Sequence, residues 1–338
     1  MYSRILVPLD GSELAEQVLP YVKALGNAYR APICLLKVIG PVPAEMGDSL
    51  HGVYLDRIAT AFRDQAESYL WHIRTSLRPA FARLDLPISV ISHEGDPAAC
   101  IISEAEKIPD TLIAMVTHGR SGVTRWLLGS VTDRVLHATT NPLMIVRAKP
   151  QDEFNKMNLD GDVALKTIIV PLDGSRLAER IISHAVHLAV GLDLPVTLLR
   201  VTDPADQYRS LAGYPGLENA ARLQGSLFDD MSKDGDDEAM EYLQGITAKL
   251  RLLGVKNTKE VVLRGRADGA VVDLACNTPG SLVAMTTRGR SGIGRWVLGS
   301  VTDRVVRHSG YPVLVVRAPD EGAAADVADE VAEVANAA

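Results

Sequence analysis

Cysteine is scarce in this chain, with only three in 338 residues. Cys34, Cys100 and Cys276 form no Cys-x-x-Cys pair and no other spacing typical of metal ligands. A zinc-type His-x-x-x-His pair with a third ligand is missing as well. The sequence therefore offers neither a disulfide framework nor a metal centre, and a reduced, intracellular protein is the simplest inference.

Long apolar runs are also missing, because none approaches the roughly 18 residues of a membrane-spanning helix. A strand-like pattern begins within the first few residues and leaves no room for a signal peptide, so we expect a cytoplasmic protein without a membrane partner. The formal charge is −7, and six acidic residues after position 319 supply most of it. The rest of the chain is near neutral, which disfavours nucleic acid as a partner.

Several catalytic motifs do not occur. The chain has no Gly-x4-Gly-Lys-(Ser/Thr) loop and no Gly-x-Gly-x-x-Gly after its first strand, which disfavours a P-loop ATPase and a dinucleotide oxidoreductase. A Gly-x-Ser-x-Gly nucleophile elbow is absent too. The sequence favours a binding protein over an enzyme.

What the chain does have is one glycine-rich signature, present twice. Residues 118–134 read HGRSGVTRWLLGSVTDR, and residues 288–304 read RGRSGIGRWVLGSVTDR. Each copy follows an apolar strand-like run and precedes a helical pattern. Backbone amides at a helix N-terminus are unpaired, the helix dipole favours negative charge there, and glycines let the main chain approach a ligand closely. We therefore predict a phosphate site that is built twice.

The duplication extends beyond this loop. Residues 4–12 (RILVPLDGS) match residues 167–175 (TIIVPLDGS), an offset of 163, whereas Gly119 matches Gly289 at an offset of 170. Seven extra residues therefore lie in the second half, and we place them in 203–237, which the sequence leaves open as either a lid or a disordered loop. Repeats of this length are whole-domain duplications. We expect domains over 1–150 and 166–319, a linker over 151–165, and a disordered, acidic, Ala-rich tail over 320–338.

The predicted fold class is α/β, with two repeated doubly wound domains. Continuous apolar runs such as Ile5–Val7 indicate strands covered on both faces, so each domain should hold a five-stranded parallel sheet flanked by helices. The last strands are apolar sheet edges, and we expect them to pair with each other. Strands are predicted at 5–9, 33–39, 88–92, 111–116, 143–147, 167–172, 196–201, 260–264, 282–286 and 313–317, and first-half helices near 13–29, 56–84, 98–107 and 131–138.

Four elements together resemble the universal stress protein family. They are the Val-Pro-Leu-Asp-Gly-Ser opening, the turns at 95–97 and 265–267, the Gly-x9-Gly-Ser element, and the Pro-x-x-x-Val-Arg that follows it. The resemblance covers both halves, as in a tandem two-domain member. It implies a Rossmann-like, adenine-nucleotide-binding fold, in which ATP-binding members carry Gly-x2-Gly-x9-Gly-(Ser/Thr). Val116 and Thr286 stand where the first glycine would be, and a β-branched residue keeps a ligand further from the backbone.

The resemblance also implies a set of ligand contacts in each domain. Aspartate and proline at the first strand end would lie near the adenine and ribose, valine and methionine would contact the adenine, and glycine, serine and arginine would hold phosphate. The first-domain candidates are Pro8, Asp10, Val38, Met115, His118, Gly119, Arg120, Gly129, Ser130 and Val131. The second-domain candidates are Pro171, Asp173, Val201, Met285, Thr286, Arg288, Gly289, Arg290, Gly299, Ser300 and Val301.

Structural alternatives exist for several of these residues. Ser130 and Asp133 have the spacing of a helix capping box, in which the serine satisfies its own helix end. Asp10 and Asp173 are also typical turn residues before Gly-Ser. For Trp126 and Trp296, a role in the core or at an interface is favoured over stacking on adenine.

Three functions follow as hypotheses. The first is a stress-response or signalling module that binds ATP, ADP or AMP, with Mg²⁺ as a candidate accompanying ion, slow hydrolysis left open, and self-association or a protein partner as its output. The second is a nucleotide-free interaction scaffold of the same fold. The third is a small-molecule or lipid binder in the same cleft.

Overall fold

The chain folds into two units. The computed structural model describes residues 2–40, 52–117, 128–150, 165–202, 225–288 and 298–318. Among these, unit 1 comprises the residues up to 150 together with 298 and 312–317, and unit 2 comprises 165–288, 299–311 and 318. The predicted tail, and the predicted linker apart from Leu165, lie outside the described residues.

Unit 1 alternates strands and helices. Its sheet has the order β3-β2-β1-β4-β5, and each neighbouring pair is parallel. The elements are β1 (Arg4–Pro8), α1 (Glu13–Glu16), α2 (Leu19–Tyr29), β2 (Ile33–Ile39), α3 (Gly52–Phe81), β3 (Ile88–Glu94), α4 (Pro97–Glu106), β4 (Thr111–Val116), α5 (Ser130–Ala138) and β5 (Leu143–Val146).

Unit 2 repeats the pattern. Its parallel strands have the order β9-β6-β7-β8. Residues 225–237 of the longer second-half segment belong to a helix. The elements of the second repeat are β6 (Thr167–Pro171), α6 (Arg176–Glu179), α7 (Ile181–Leu192), β7 (Val196–Thr202), α8 (Gly225–Leu252), β8 (Thr258–Arg264), α9 (Ala267–Cys276), β9 (Ser281–Arg288), α10 (Ser300–His308) and β10 (Val313–Ala318).

The last strand, β10, pairs with β5 in antiparallel register. Val313 lies opposite Ile145, Leu314 opposite Met144, and Val315 opposite Leu143. By their contacts, residues 312–317 belong to unit 1, although they follow α10 in the chain. The predicted pairing of the last strands is therefore confirmed.

The central strands form the core of each unit. Ile5, Leu6 and Val7 in β1 are fully buried, and so are Leu112 and Ile113 in the neighbouring β4. Both faces of these strands are thus covered, as their continuous apolar runs predict. Among the described residues, no helix is both long and apolar enough to cross a membrane.

One helix differs from its prediction. A single helix was expected over 13–29, but α1 ends at Glu16 and α2 begins at Leu19. Pro20 favours a break here, because proline lacks an N–H and its ring clashes with the carbonyl four residues earlier, here Glu16. Proline is tolerated only in the first turn, so a new helix begins beside it.

Candidate functional site

The turn after β1 places Asp10 at the carboxyl end of the sheet. The Ser12 N–H and hydroxyl both donate to Asp10 Oδ1, at 2.9 and 2.6 Å, and Ser12 Oγ accepts from the Ala15 N–H at 3.1 Å. Gly11 has φ of 87°, a conformation that favours glycine. The aspartate is therefore a turn residue, as the structural alternative states, and its position beside a cavity is compatible with a ligand role too.

That cavity lies within unit 1 and has a volume of about 300 Å³. It brings together seven of the ten first-domain candidates: Pro8, Asp10, Val38, Met115, Gly129, Ser130 and Val131. Val116, which stands at the place of the first motif glycine, lines the cavity as well. The lining residues that the sequence reasoning missed are Leu9, Ala15, Leu36, Pro97, Ile101 and Thr132.

The remaining candidates of the glycine loops fall outside this description. His118, Gly119, Arg120, Gly289 and Arg290 lie outside the described residues, as do Trp126 and Trp296. Arg288 ends β9. Their roles stay predictions.

The N-terminus of α5 forms one end of the cavity. Gly129 is the N-cap residue, with φ −60° and ψ 146°, and no side chain caps the helix among the described residues. Ser130, Val131 and Thr132 make up its first turn and line the cavity. Amide groups in a first turn have no helical acceptor, so this end of the cavity is suited to an anion.

The capping-box interpretation of Ser130 is wrong. The helix begins one residue earlier than that interpretation requires, so Ser130 is the first helical residue and does not cap. The Asp133 N–H donates to the Gly129 carbonyl at 2.8 Å, which is an ordinary helical bond. The second repeat also has glycine as its N-cap: Gly299 has φ −60° and ψ 141°, and Ser300 is again the first helical residue.

Hydrogen bonds fix this helix start to the end of β4. The Gly129 N–H donates to the Thr117 carbonyl at 2.6 Å, and the Thr132 hydroxyl donates to the Val116 carbonyl at 2.9 Å. Val116 itself is buried and lines the cavity. In the second repeat, the Thr286 hydroxyl donates to the Ala178 carbonyl at 3.5 Å, so it already has an acceptor within its own unit.

Lys37, Tyr69 and Glu16 form a cluster that contacts the turn between β1 and α1. Lys37 Nζ donates to the Asp10 carbonyl at 2.8 Å and lies 4.8 Å from the centre of the Tyr69 ring. The Tyr69 hydroxyl donates to Glu16 at 3.0 Å. Sequence reasoning missed this cluster, although comparison of the two halves would have shown it.

The second repeat carries the same cluster with arginine in place of lysine. Arg200 lies 4.9 Å from the centre of the Tyr242 ring, and the Tyr242 hydroxyl donates to Glu179 at 3.0 Å. Burial, followed by the neighbouring Glu179, raises the pKa of Tyr242. A Cβ on Gly174 would lie 3.2 Å from the Arg200 guanidinium, so the arginine packs directly on the turn after β6.

A buried ionic cluster anchors α4, the helix that contributes Pro97 and Ile101 to the cavity. Glu104, one turn beyond Ile101, contacts Arg4 at 3.0 Å, His93 at 2.8 Å and Lys107 at 2.6 Å. Burial opposes ionisation of this carboxyl, but the bonds from its three partners prevail and lower its pKa to about 2. The cavity wall is thus held by an ionised glutamate.

No metal centre is evident in the described part of the chain. The ranges given above contain no group of three or more histidine, cysteine, aspartate or glutamate side chains that could hold an ion. Mg²⁺ therefore stays a proposal tied to a bound nucleotide.

The fold and the cavity define a class: a duplicated α/β protein with a cavity at the carboxyl ends of the parallel strands of its first domain. The sequence matches the model of the universal stress protein family at residues 1–147 and again at residues 164–317. The chain therefore belongs to the universal stress protein family, as a member with two domains in tandem.

Individual relatives agree with this assignment. A universal stress protein of Methanocaldococcus jannaschii is 29% identical over 166 residues, which is 49% of this chain and 90% of that protein. One from Mycolicibacterium smegmatis is 22% identical over 314 residues, 93% of this chain and 96% of the relative. A crystal structure of a universal stress protein from Archaeoglobus fulgidus has a TM-score of 0.61 at 21% identity and covers 94% of this chain and 99% of its own, which shows the shared fold.

Proposed function

We propose that this chain is an adenine-nucleotide-binding module for stress response or signalling, with ATP, ADP or AMP held in the cleft of each domain. The observation that carries the proposal is the meeting of an apolar cavity with a helix start that glycine caps. The apolar part suits a base, and the helix start suits phosphate.

The size and lining of the cavity support this. About 300 Å³ lies at the lower end of the range for small-molecule sites. Leu36, Val38, Met115 and Ile101 supply apolar surface for a planar base. Asp10 lies on the same wall, where its carboxylate can accept hydrogen bonds from ribose hydroxyls.

The phosphate end depends on Gly129. Its backbone angles are ones that any residue adopts, so the conformation does not require glycine. What glycine provides is the absence of a side chain, which would otherwise cap the helix or occupy the place of a phosphate. The same argument applies to Gly299.

The second domain is included because it repeats these elements. Pro171 is the last residue of β6, and Asp173 lies in the turn that follows. The Ser175 N–H donates to Asp173 Oδ1 at 2.9 Å. Its helix start has Gly299 and Ser300 in the same geometry. Val201, Met285 and Val301 keep their roles as proposed contacts.

The direct test is to identify what the purified full-length chain carries. Ligand released by denaturation is analysed by mass spectrometry, and the emptied chain is titrated with ATP, ADP and AMP by calorimetry. Release of an adenine nucleotide, or binding of one on titration, is the expected result.

The alternatives predict other results. A fatty acid or another small molecule in the released fraction, with no nucleotide binding, would favour the small-molecule or lipid binder. An empty chain that binds no nucleotide would favour the scaffold. We expect no turnover beyond slow ATP hydrolysis, which a phosphate-release assay on the same sample measures.

A further inference from the structure

The turn between the third strand and the next helix directly precedes cavity-lining residues in the first domain, and the second domain repeats this turn. In the first domain, Pro97 and Ile101 of α4 line the cavity, and Asp96 directly precedes them. Asp96 caps α4, because its Oδ1 accepts from the Ala99 N–H at 2.9 Å. The charge at this position is therefore fixed beside the cavity mouth.

The carboxylate of Asp96 also spans the two helices that border the cleft. Arg134 of α5 donates to both of its oxygens, at 2.7 and 2.8 Å. These bonds, with the Ala99 N–H, hold the pKa of Asp96 below its usual value. Since α5 supplies the phosphate end of the cavity, this pair adds one negative and one positive charge to that rim, and their sum is zero.

The second domain has a different balance of charge at the same place. Arg266 stands where the first domain has Asp96, and its side chain does not cap the helix. The acid has moved two positions to Asp268, which accepts from Arg266 at 3.1 Å and from Arg304 at 3.2 Å. One carboxylate thus faces two arginines, and this rim has one more positive charge than the first.

In a neighbouring ion pair the acid and the base exchange places between the two domains, which leaves the total charge of the pair unchanged. Arg63 pairs with Glu94 at the end of β3 in the first domain, whereas Asp236 pairs with Arg264 at the end of β8, at 2.7 Å, in the second. Each pair is neutral as a whole. Among the residues of these two turns and their partners, the extra positive charge therefore comes from the arrangement around Asp268.

We propose that these rim residues make the two domains prefer nucleotides of different phosphate charge. The first domain, with Asp96 neutralising Arg134, favours a monophosphate such as AMP relative to the second. The second domain, with Arg266 and Arg304 sharing Asp268, favours the triphosphate. This inference rests on the proposed nucleotide function and assigns a ligand preference to each of its sites.

The physical reason is that attraction grows with ligand charge. ATP carries more negative charge than AMP, so one additional cation at the rim strengthens ATP binding more than AMP binding. The Arg266 side chain is 80% exposed, so solvent and salt weaken the effect. We expect the ratio of ATP affinity to AMP affinity to differ between the domains by about threefold for this one charge.

The test measures that ratio by calorimetry on the full-length chain. The first site is examined in a chain whose second site is closed by Gly299→Asp, and the second site in a chain with Gly129→Asp. Asp96→Asn keeps an oxygen that can cap α4 but leaves Arg134 unneutralised, so the ATP-to-AMP ratio of the first site should rise about threefold. Arg266→Gln should lower the ratio of the second site by a similar factor, and about 0.5 M salt should reduce both shifts.

Matched controls change charge elsewhere in the same unit. Asp85→Asn removes one negative charge before β3 begins, and Lys256→Gln removes one positive charge before β8 begins, both at the strand ends opposite the cleft. Circular dichroism confirms that each variant is folded. Ratios that move with Asp96 and Arg266 but not with the controls support the inference.

Two results would overturn it. If both nucleotides bind and Asp96→Asn or Arg266→Gln moves the ratio no more than its control, the inference is wrong and the proposed function stands. If the unsubstituted chain binds neither ATP nor AMP, both the proposed function and this inference fail.

Discussion

At the scale of single residues, ligand binding explains a glycine at position 129 better than the stability of α5 does. A glycine is a weaker N-cap than aspartate by a few tenths of a kcal/mol, and its backbone angles here do not require it. The helix would therefore be at least as stable with a capping side chain. The glycine instead leaves the first-turn amides accessible to a ligand.

Gly129→Asp should keep or slightly raise the stability of the chain while it abolishes ATP binding at the first site. The new carboxylate would accept from the first-turn amides and repel phosphate, and it should stabilise α5 by a few tenths of a kcal/mol. Thermal unfolding and calorimetry check the two effects, with Gly129→Ala as the control of small size. Unchanged ATP affinity at the first site would show that α5 does not bind phosphate.

In the first domain, Arg4 and Glu104 form a buried ion pair. Both side chains are less than a tenth exposed, at 7% and 4%. The second repeat has Thr167 and Leu274 at the matching positions, so it fills the same place without charge. The second repeat therefore indicates which double substitution, Arg4→Thr with Glu104→Leu, to test in the first domain.

Glu104→Leu alone should lower the free energy of unfolding by about 3–5 kcal/mol, because it leaves the Arg4 guanidinium buried without its carboxylate. Adding Arg4→Thr, which copies the second repeat, should recover most of that loss. Urea unfolding at pH 7 measures both. A double variant no more stable than the single one would show that the cost lies in packing and not in the unpaired charge.

The same glutamate makes stability depend on pH. Its pKa in the folded chain is about 2, against 4.5 for an unperturbed glutamate. A depressed pKa contributes stability that is fully present above about 4.5 and is lost as the pH falls toward 2. The double variant should lack this contribution, so its stability should fall less than that of the unsubstituted chain between these values. Parallel loss in urea titrations across that range would contradict the assignment.

At the scale of elements, the strands were predictable and the helix boundaries less so. The predicted strands at 33–39 and 111–116 match β2 and β4, because buried parallel strands have continuous apolar runs. The break between α1 and α2 was readable from Pro20 and was missed. The corresponding break between α6 and α7 has no proline, and nothing in the structure explains it.

The cavity shows the same division. Residues on strand ends and at the glycine turn were predictable because the resemblance to the universal stress protein family implies them position by position. Leu36 could have been found too, since it lies two residues before Val38 and successive alternate residues share a strand face. Ala15 and Ile101 come from helices, and no local pattern states which helix turn reaches a cleft formed by distant strands.

At the scale of the whole molecule, β10 of unit 1 is separated in sequence from the other strands of that unit by about half the chain. β10 pairs with β5, and Arg317 donates a hydrogen bond to the Leu136 carbonyl. The edge of β5 is therefore covered by the last strand of the second repeat. Duplication made the last strands recognisable as equivalent edges, which is why their pairing could be predicted from the sequence.

Truncation after residue 311 should expose the β5 edge. Unpaired, apolar edges invite pairing with another chain, so the shortened chain should be less stable and should self-associate. Truncation after residue 318 keeps β10 and serves as the matched control. Light scattering coupled to size exclusion measures the mass of each, and identical masses and melting temperatures would refute the role of β10.

We expect adenine to occupy the cavity between β1, β2, β4 and α5. Photolabelling of the full-length chain with 8-azido-ATP, followed by peptide mapping, tests it most directly, because the reactive group marks where the base lies. We expect label in the first domain on peptides that contain Asp10, Val38 or Met115, and less label when excess ATP competes. Label confined to peptides without cavity residues of either domain, or label that ATP does not displace, would contradict the account.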